Sequence, residues 1–290
     1  MASNLEILQR AELEIIKEFH RICEEYNLRY ILIYGTMLGC ARHQGFIPWD
    51  DDVDVVMPLE DYCKFNEIAN RVADDRYMVL NEKSVPNYYR YHAFAKFVKK
   101  RSSAIFEYPF VRNYIQPIYI DIFPAFYVPK SCGKYKLIQT SNFILGQTVK
   151  MKYSGLFKHT KRGVIAKTGM FMFYCLNRIT PQKNGYSLAI KIASSVTRKD
   201  ARSYYVGNLY SVNAIKYCQM PLDVFEDRIL MKFEDTELYM PKKFDRILRL
   251  TYGDYMQLPP ENKRKSHGFK FVSDEIGYDE YDQQQKASQQ

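Results

Sequence analysis

Apolar residues at the start of the chain recur with the period of a helix. Across residues 5–26, Leu8, Ile15 and Phe19 are spaced so that they fall on one face, with charged residues between them. This spacing predicts an amphipathic helix that packs on a core. The mostly apolar run 28–34 comes next and predicts a short buried strand.

Comparable patterns continue through the first half of the chain. Gly35-Thr36 predicts a turn, residues 37–42 predict a short helix, and Pro58 predicts the start of a helix that extends to Val72. Further strands are predicted at 77–80, 88–99 and 118–124. Because strands and helices alternate, the sequence predicts a fold of the α/β (α+β) class.

The chain changes character after Pro129. Helix-like stretches lie around 134–152, 163–178 and 187–205, with few strand signals between them. A length of 290 residues is enough for an ample core. The pattern predicts four segments: a core domain at 1–130, a basic helical subdomain or insertion at 131–205, a segment that packs back on the core at 206–272, and a disordered tail at 273–290.

The net charge of +9 is concentrated in one part of the chain. Residues 122–199 contain fourteen Lys and Arg but no Asp or Glu, whereas the remainder has 28 bases against 33 acids. This segregation predicts a polyanionic or membrane-surface partner. A nucleic acid is not the expected partner, since no RNA- or DNA-binding motif accompanies the charge.

The six cysteines are scattered and form no Cys-x-x-Cys pair. This usage predicts reduced, buried thiols in a cytosolic protein and argues against a zinc site. The first residues lack the basic-then-apolar pattern of a secretion signal, so we expect a cytoplasmic protein.

Four acids crowd together shortly after Pro48, at positions 50, 51, 52 and 54. A strand over Asp52-Val53-Asp54-Val55 would place Asp52 and Asp54 on one face. Two carboxylates this close raise each other's pKa unless a cation lies between them, and oxygen ligands of this kind suit Mg²⁺. The alternative is an acidic loop in solvent.

Two more charged residues lie within predicted strands. Asp121 is the one acid in the apolar run Ile118–Pro124, where a carboxylate needs a counter-charge, a proton or a metal. A hydrogen-bonded core aspartate is the alternative. Lys96 alternates with Phe94 and Val98, so it is either a phosphate contact or a lysine whose ammonium group reaches solvent.

A longer stretch connects these residues to a known family. The sequence GTMLGCARHQGFIPWDDDVDVVMP, residues 35–58, resembles the signature of the LicD family. Residues 221–267, with a Phe-Glu-Asp element, Tyr-Gly-Asp-Tyr-Met and paired prolines, resemble the family's C-terminal block. LicD proteins include bacterial phosphocholine transferases and are related to the fukutin-type glycan phosphotransferases. The resemblance implies a nucleotidyltransferase-like mixed sheet flanked by helices.

The resemblance also implies roles for individual residues. Asp52, Asp54 and Asp121 would hold one or two Mg²⁺ ions, with Mn²⁺ as a substitute, and Asp121 would take a proton from the acceptor. His267 would act as an acid, a base or a phosphate ligand. The remaining expected contacts to substrate or phosphate are Gly35, Thr36, Arg42, Lys96 and Arg264, with Lys265 as an alternative to Arg264. Without the resemblance, the segment around Arg264 would be predicted to lie in solvent.

The implied reaction moves a phosphoalcohol group from a CDP-alcohol, typically CDP-choline, to a hydroxyl group and releases CMP. The acceptor would be a cell-surface glycan, a teichoic acid or a lipopolysaccharide precursor. Ribitol, glycerol and ethanolamine donors stay open. The basic interval predicts an anionic or lipid-linked acceptor and a peripheral contact with the inner face of the membrane.

Two other classes of function fit the same residues. A nucleotidyltransferase would move the nucleoside monophosphate instead of the phosphoalcohol, with the same three aspartates. A non-catalytic protein on this scaffold would bind a polyanion or a membrane surface through its basic segment.

Overall fold

The computed structural model describes residues 3–81, 94–108, 111–141, 190–206, 219–266 and 268–281, and six isolated positions between 163 and 175. The chain divides into two compact units. Unit 1 comprises 1–80, 95–123 and 224–290, whereas unit 2 comprises 81–94 and 124–223. The aspartates, Lys96 and the two arginines predicted for the site all belong to unit 1.

Helices and strands of unit 1 alternate as predicted as far as residue 80, after which strands follow one another. The helices are α1 (Asn4–Glu25), α2 (Tyr34–His43), α3 (Leu59–Val72) and, near the C-terminus, α4 (Phe244–Tyr252). The strands are β1 (Ile31–Leu32), β2 (Asp54–Pro58), β3 (Tyr77–Leu80), β4 (Ala95–Lys99), β5 (Ser103–Tyr108), β6 (Val111–Gln116) and β7 (Tyr119–Pro129), whose last residues belong to unit 2.

The central sheet of unit 1 has the order β1-β2-β7-β4-β3. Strand β1 is antiparallel to β2, and β4 is antiparallel to both β3 and β7. Helices α1 and α3 pack on this sheet, and the rings of Phe19, Phe65 and Phe97 meet between them. The predicted α/β class, with a mixed sheet flanked by helices, is confirmed.

Helix α1 begins at a capping box. The Ser3 hydroxyl accepts a hydrogen bond from the backbone N–H of Glu6, and the Glu6 carboxylate accepts one from the backbone N–H of Ser3. This pair satisfies two of the backbone donors that a helix start leaves open. The inner face of α1 is apolar except for the buried Glu12.

Two smaller sheets complete unit 1. The hairpin of β10 (Arg228–Phe233) and β11 (Thr236–Pro241) packs beside β1, and β12 (Phe269–Ser273) pairs antiparallel with β5. Residues 273–281 differ from the predicted disordered tail. They include a helical turn at 278–281, and Asp274 pairs with Arg10 at 2.8 Å, so contacts with α1 hold this segment.

In unit 2, the end of β7 pairs with β8 (Ala201–Val206), which pairs with β9 (Gln219–Met220). Helical segments lie at 132–141 and 190–193, and a small apolar core forms around Ile138 and Val196. The prediction of a helix through 187–205 was wrong at its end. Ala201–Val206 is a strand because its tyrosines and valine favour extended backbone and its residues pair with β7.

Three other expectations need comment. Helix α2 starts at Tyr34, so Gly35 and Thr36 form its first turn instead of preceding it. Among the described cysteines none is in a disulfide, and Cys23 and Cys40 are buried as predicted, but Cys63, Cys132 and Cys175 are exposed. In the described part of the chain, no helix has the length and apolarity needed to cross a membrane.

Candidate functional site

Asp54 and Asp121 lie on neighbouring strands of the central sheet, at the start of β2 and near the start of β7. The backbone N–H of Asp121 donates to the carbonyl of Val53 at 2.8 Å, which places Asp121 beside the acidic stretch. The backbone N–H of Asp54 donates to the hydroxyl of Thr36 at 2.8 Å, so the start of α2 is fixed to the same place.

Asp52 does not lie on a strand, contrary to the sequence-based expectation. Strand β2 begins at Asp54, and residues 50–53 form the acidic loop that leads into it. In this loop, carboxylate oxygens of Asp50, Asp51 and Asp52 lie within 4.8 Å of one another. Among the described residues, Asp54 and Asp121 are not part of that close group, although their charges act on it.

Burial and like charge together perturb the strand aspartates. The pKa of Asp54 is raised well above its ordinary value by burial, and the charges of Asp52 and Asp121 add to the effect. Burial likewise raises the pKa of Asp121 to about 6, against the opposing influence of Lys96. These carboxylates therefore lie close enough to feel one another in a poorly solvated place.

Lys96 is opposite Asp121 on β4, and its side chain is only 2% exposed. Its Nζ lies 3.2 Å from Oδ1 of Asp121 and 2.9 Å from the centre of the Tyr119 ring. Burial lowers the pKa of Lys96 to about 8, although Asp121 and Asp54 favour the charged form. The alternative that the Lys96 ammonium group reaches solvent is therefore wrong, because the side chain is buried.

The contact between Lys96 and Asp121 is a charge contact without the direction of a hydrogen bond. Among the described residues, the buried Oδ1 of Asp121 has no hydrogen-bond partner. A lone pair on this oxygen therefore remains available to another electrophilic group.

Gln9 on α1 holds the acidic loop in position through its side chain. Its side-chain amide donates to the carbonyls of Asp50 at 2.8 Å and Ile47 at 3.3 Å. One turn later on the same helix face, Glu12 is buried, with 2% of its surface exposed. Neither residue was predicted for the site. The available signal was an acidic side chain at a position where the helical period requires an apolar one.

Replacing Gln9 with alanine removes both of these hydrogen bonds. We expect Gln9→Ala to lower the free energy of unfolding by about 1–2 kcal/mol, because two partly buried carbonyls lose their donor. Denaturant unfolding measures this change. The control is Arg10→Ala, which breaks only the exposed pair with Asp274 and should alter stability by less than about 1 kcal/mol. Equal losses of unfolding free energy from the two changes would contradict the inference that Gln9 fixes the loop.

Arg42 and Arg264 come together from distant parts of the chain. Arg42 donates from Nη1 to the carbonyl of Tyr255 at 2.7 Å, and Arg264 donates from Nε to the carbonyl of Pro259 at 2.8 Å. Partial burial, and then the positive charge of Arg264, lower the pKa of Arg42. The Arg264 guanidinium also lies 5.4 Å from the Trp49 ring. Two cations held this close favour an anion such as phosphate.

The first turn of α2 supports the same interpretation for Gly35 and Thr36. A helix start presents backbone N–H groups that the helix itself does not use, and these suit a phosphate. A Cβ atom on Gly35 would lie 2.5 Å from Oδ2 of Asp50, so only glycine lets the acidic loop approach this turn. His267, the remaining predicted residue, lies outside the described residues.

The donor set fits a divalent cation. Hard carboxylate oxygens are the ligands that Mg²⁺ and Mn²⁺ take in proteins. Here the buried Oδ1 of Asp121 lacks a hydrogen-bond partner among the described residues, and the carboxylates of Asp52 and Asp54 raise each other's energy nearby. A cation among them would relieve both conditions.

Comparison with known proteins bears on this arrangement. Residues 27–164 match the LicD/FKTN/FKRP nucleotidyltransferase domain. The chain is also 28% identical over 263 residues to the lipopolysaccharide cholinephosphotransferase LicD of Haemophilus influenzae, which covers 88% of this chain and 92% of that protein. This chain carries a LicD-family domain.

A second pair of relatives matches this chain over a shorter stretch. The ribitol 5-phosphate transferases FKRP of mouse and human are 36% identical to this chain over 73 residues. That match covers 24% of this chain and 15% of either relative, so it concerns only part of those proteins. The Haemophilus relative is a cholinephosphotransferase and these two are ribitol 5-phosphate transferases, so the relatives differ in the group they transfer.

The matched domain does not contain every residue that the structure gathers. Asp52, Asp54, Lys96 and Asp121 lie within residues 27–164. Gln9 and Glu12 precede the LicD domain, and Arg264 follows it. Their proximity to the acidic loop and to Arg42 comes from the packing of α1 and of the C-terminal segment on the domain.

Proposed function

We propose that this chain transfers a phosphoalcohol group to a hydroxyl of a glycan. By family resemblance the donor is CDP-choline, whose phosphocholine group would be transferred while CMP leaves. The observation that carries this proposal is the set of carboxylates around Asp54 and Asp121, with the buried Lys96 beside them and a pair of arginines in the same unit. The match to a lipopolysaccharide cholinephosphotransferase over most of the chain supports it.

Asp52, Asp54 and Asp121 are the residues proposed to hold Mg²⁺ or Mn²⁺. When bound, such an ion neutralises charge on the attacked phosphate and on the leaving nucleotide. Asp121 is the carboxylate beside the buried ammonium group of Lys96, and a carboxylate within reach of the acceptor hydroxyl can act as a general base. We assign it the acceptance of the proton from the acceptor hydroxyl.

Other residues of the chain bind and orient the donor in this proposal. Arg42 and Arg264 form a cationic pair that suits the diphosphate, and the first turn of α2 offers N–H groups from Gly35 and Thr36. Lys96 is assigned a supporting role, because its ammonium group lies against Asp121. A direct contact between Lys96 and phosphate stays a prediction, as does the role of His267.

The acceptor is proposed to be anionic or lipid-linked, such as a lipopolysaccharide or teichoic acid precursor. The fourteen bases of residues 122–199, without a single acid, favour such a partner. We accordingly place the protein in the cytoplasm, in peripheral contact with the inner face of the membrane.

The experiment incubates the purified chain with MgCl₂, a lipopolysaccharide acceptor and CDP-choline, CDP-ribitol, CDP-glycerol or CDP-ethanolamine in turn. Mass spectrometry of the acceptor identifies the transferred group. We expect a phosphoalcohol adduct with one of these donors, equimolar CMP, and no product in EDTA. A cytidylyl adduct would instead establish a nucleotidyltransferase. Binding of acceptor without any product from the four donors would favour the non-catalytic alternative.

A further inference from the structure

The acidic loop contains more carboxylates than the proposed transfer site uses. Oxygens of Asp50, Asp51 and Asp52 lie within 4.8 Å of one another, and Asp51 is buried, with 3% of its surface exposed. An acidic loop can have this geometry without binding anything. The side chain that faces the loop from α1 distinguishes the two cases.

Glu12 is that side chain. It is 2% exposed, and its buried Oε2 has no hydrogen-bond partner among the described residues. The charged groups that act on it most strongly are all acids, in the order Asp52, Asp51, Asp50 and Asp121. Glu12 thus places a buried carboxyl group one helical turn after Gln9, whose amide contacts the loop, and near enough for the three aspartates to add to the rise in its pKa that burial causes.

Lys96 does not supply the missing charge for Glu12. The acids that most strongly favour the charged form of Lys96 are Asp121, Asp54 and Asp52. Its ammonium group thus interacts mainly with the carboxylates at strands β2 and β7. On the side formed by α1 and the loop, Glu12 adds a buried carboxyl to three aspartates. A buried carboxylate in such a place needs a proton or a cation.

The loop is also preorganised for a ligand. Gln9 holds the carbonyls of Ile47 and Asp50 from α1, and Gly35 allows the Asp50 carboxylate to approach α2. Carboxylate oxygens that are already fixed bind a hard cation with little loss of conformational freedom.

We propose that Glu12, Asp50 and Asp51 form a divalent-cation site of their own, which shares the carboxylate of Asp52 with the site proposed for the transfer reaction. The inference rests on the proposed function in one respect only, namely that a catalytic ion binds next to this one. Cation binding at Glu12 does not itself require that the chain be a transferase.

Mn²⁺ alone is the probe, titrated without nucleotide and followed by the loss of the free-ion signal in electron paramagnetic resonance. We expect two ions per wild-type chain. Glu12→Gln should weaken one of the two sites by about tenfold or more while the other persists, because an amide is a neutral and poorer ligand. Glu14→Gln is the matched control, since Glu14 is on the same helix but pairs with Lys99 at the edge of the core. Asp54→Asn should weaken the other site.

Stability provides a second readout that a merely structural role of Glu12 would not give. In EDTA, Glu12→Gln should unfold at the same temperature as the wild type or a higher one, because it removes a buried carboxyl from an acidic cluster. With saturating MnCl₂ the order should reverse, since the wild type gains more from the ion. Lower stability of Glu12→Gln in both conditions would assign Glu12 to packing alone and overturn the proposal.

The outcomes separate this inference from the proposed function. Unchanged Mn²⁺ binding by Glu12→Gln overturns the cation site, whether or not the chain transfers a phosphoalcohol. Conversely, a chain that transfers nothing from the four CDP-alcohols but loses one Mn²⁺ on Glu12→Gln keeps the site and rejects only the reaction.

Discussion

Replacing Asp54 with asparagine should abolish transfer and stabilise the metal-free protein at the same time. Asp54 is buried at the start of β2, where burial and the charges of Asp52 and Asp121 raise its pKa well above the ordinary value. As a proposed metal ligand it contributes several kcal/mol to the transition state, so kcat should fall about 10³-fold or more. In EDTA the melting temperature should rise by about 2–4 °C, the shift that ~1 kcal/mol gives in a domain of this size.

The stability gain should depend on pH in a defined direction. Because the pKa of Asp54 is raised on folding, its contribution to stability is full below the unfolded value and is lost as pH rises through the folded value. The advantage of Asp54→Asn over the wild type in EDTA should therefore grow as pH rises above about 4. Asp75→Asn, an exposed change on the same unit, should show neither effect. Wild-type activity in Asp54→Asn would exclude the proposed metal site.

Much of the fold follows from local patterns of the sequence. The helical spacing of Leu8, Ile15 and Phe19 predicts α1, and Pro58 marks the start of α3 as observed. Strand β3 occupies the predicted residues 77–80. These elements are readable because each buries one apolar face, and the period of that face differs between helix and strand.

Residues of the site can be predicted from the sequence only where they break such a pattern. Asp121 interrupts an apolar strand, which identifies it, and Asp54 lies where an acidic run enters a strand. Glu12 breaks the pattern of α1 in the same way, but among many helical charges its position on the buried face is easily overlooked. The proximity of Arg42 and Arg264 has no local signal, since it depends on how segments more than two hundred residues apart pack.

Asp52 was predicted to lie on a strand because alternation alone does not show where a strand begins. Alternation over Asp52-Val53-Asp54-Val55 fits a strand, but pairing with β1 begins only at Val55 and Val56. Upstream of Asp54, the side-chain amide of Gln9 instead donates hydrogen bonds to the carbonyls of Ile47 and Asp50. This contact with α1 fixes the loop that precedes the strand, and no pattern within the strand records it.

Replacing Lys96 with methionine should destabilise the protein, in contrast to the change at Asp54. Methionine preserves most of the volume but removes the ammonium group 3.2 Å from Oδ1 of Asp121. The aspartates on β2 and β7 would then lack their buried counter-charge. We expect the free energy of unfolding in EDTA to fall by about 3 kcal/mol, because methionine, unlike either protonation state of lysine, offers the buried carboxylate of Asp121 no donor at all. Denaturant unfolding at neutral pH measures this loss.

The control for Lys96 lies on the same strand. Lys99→Met removes a lysine that pairs with Glu14 across a partly exposed contact, and it should cost less than about 1 kcal/mol. Adding MnCl₂ should recover part of the stability of Lys96→Met, because a divalent ion supplies positive charge to the same carboxylates. The Lys99 variant should gain no more from Mn²⁺ than the wild type does. Equal losses from the two changes would show that the Lys96–Asp121 contact has no special role.

The charge of Lys96 should also be visible in the pH dependence of wild-type stability. Its pKa is lowered to about 8 by burial, so between this value and the ordinary one the unfolded chain binds more protons than the folded chain. Stability in EDTA should therefore gain a contribution from Lys96 as pH rises above about 8, and Lys96→Met should lack that contribution. Activity should move the opposite way if the ammonium group supports Asp121, falling as Lys96 loses its proton. Stability and activity that fall together above pH 8 would instead indicate general unfolding and would leave no separate function for the buried charge.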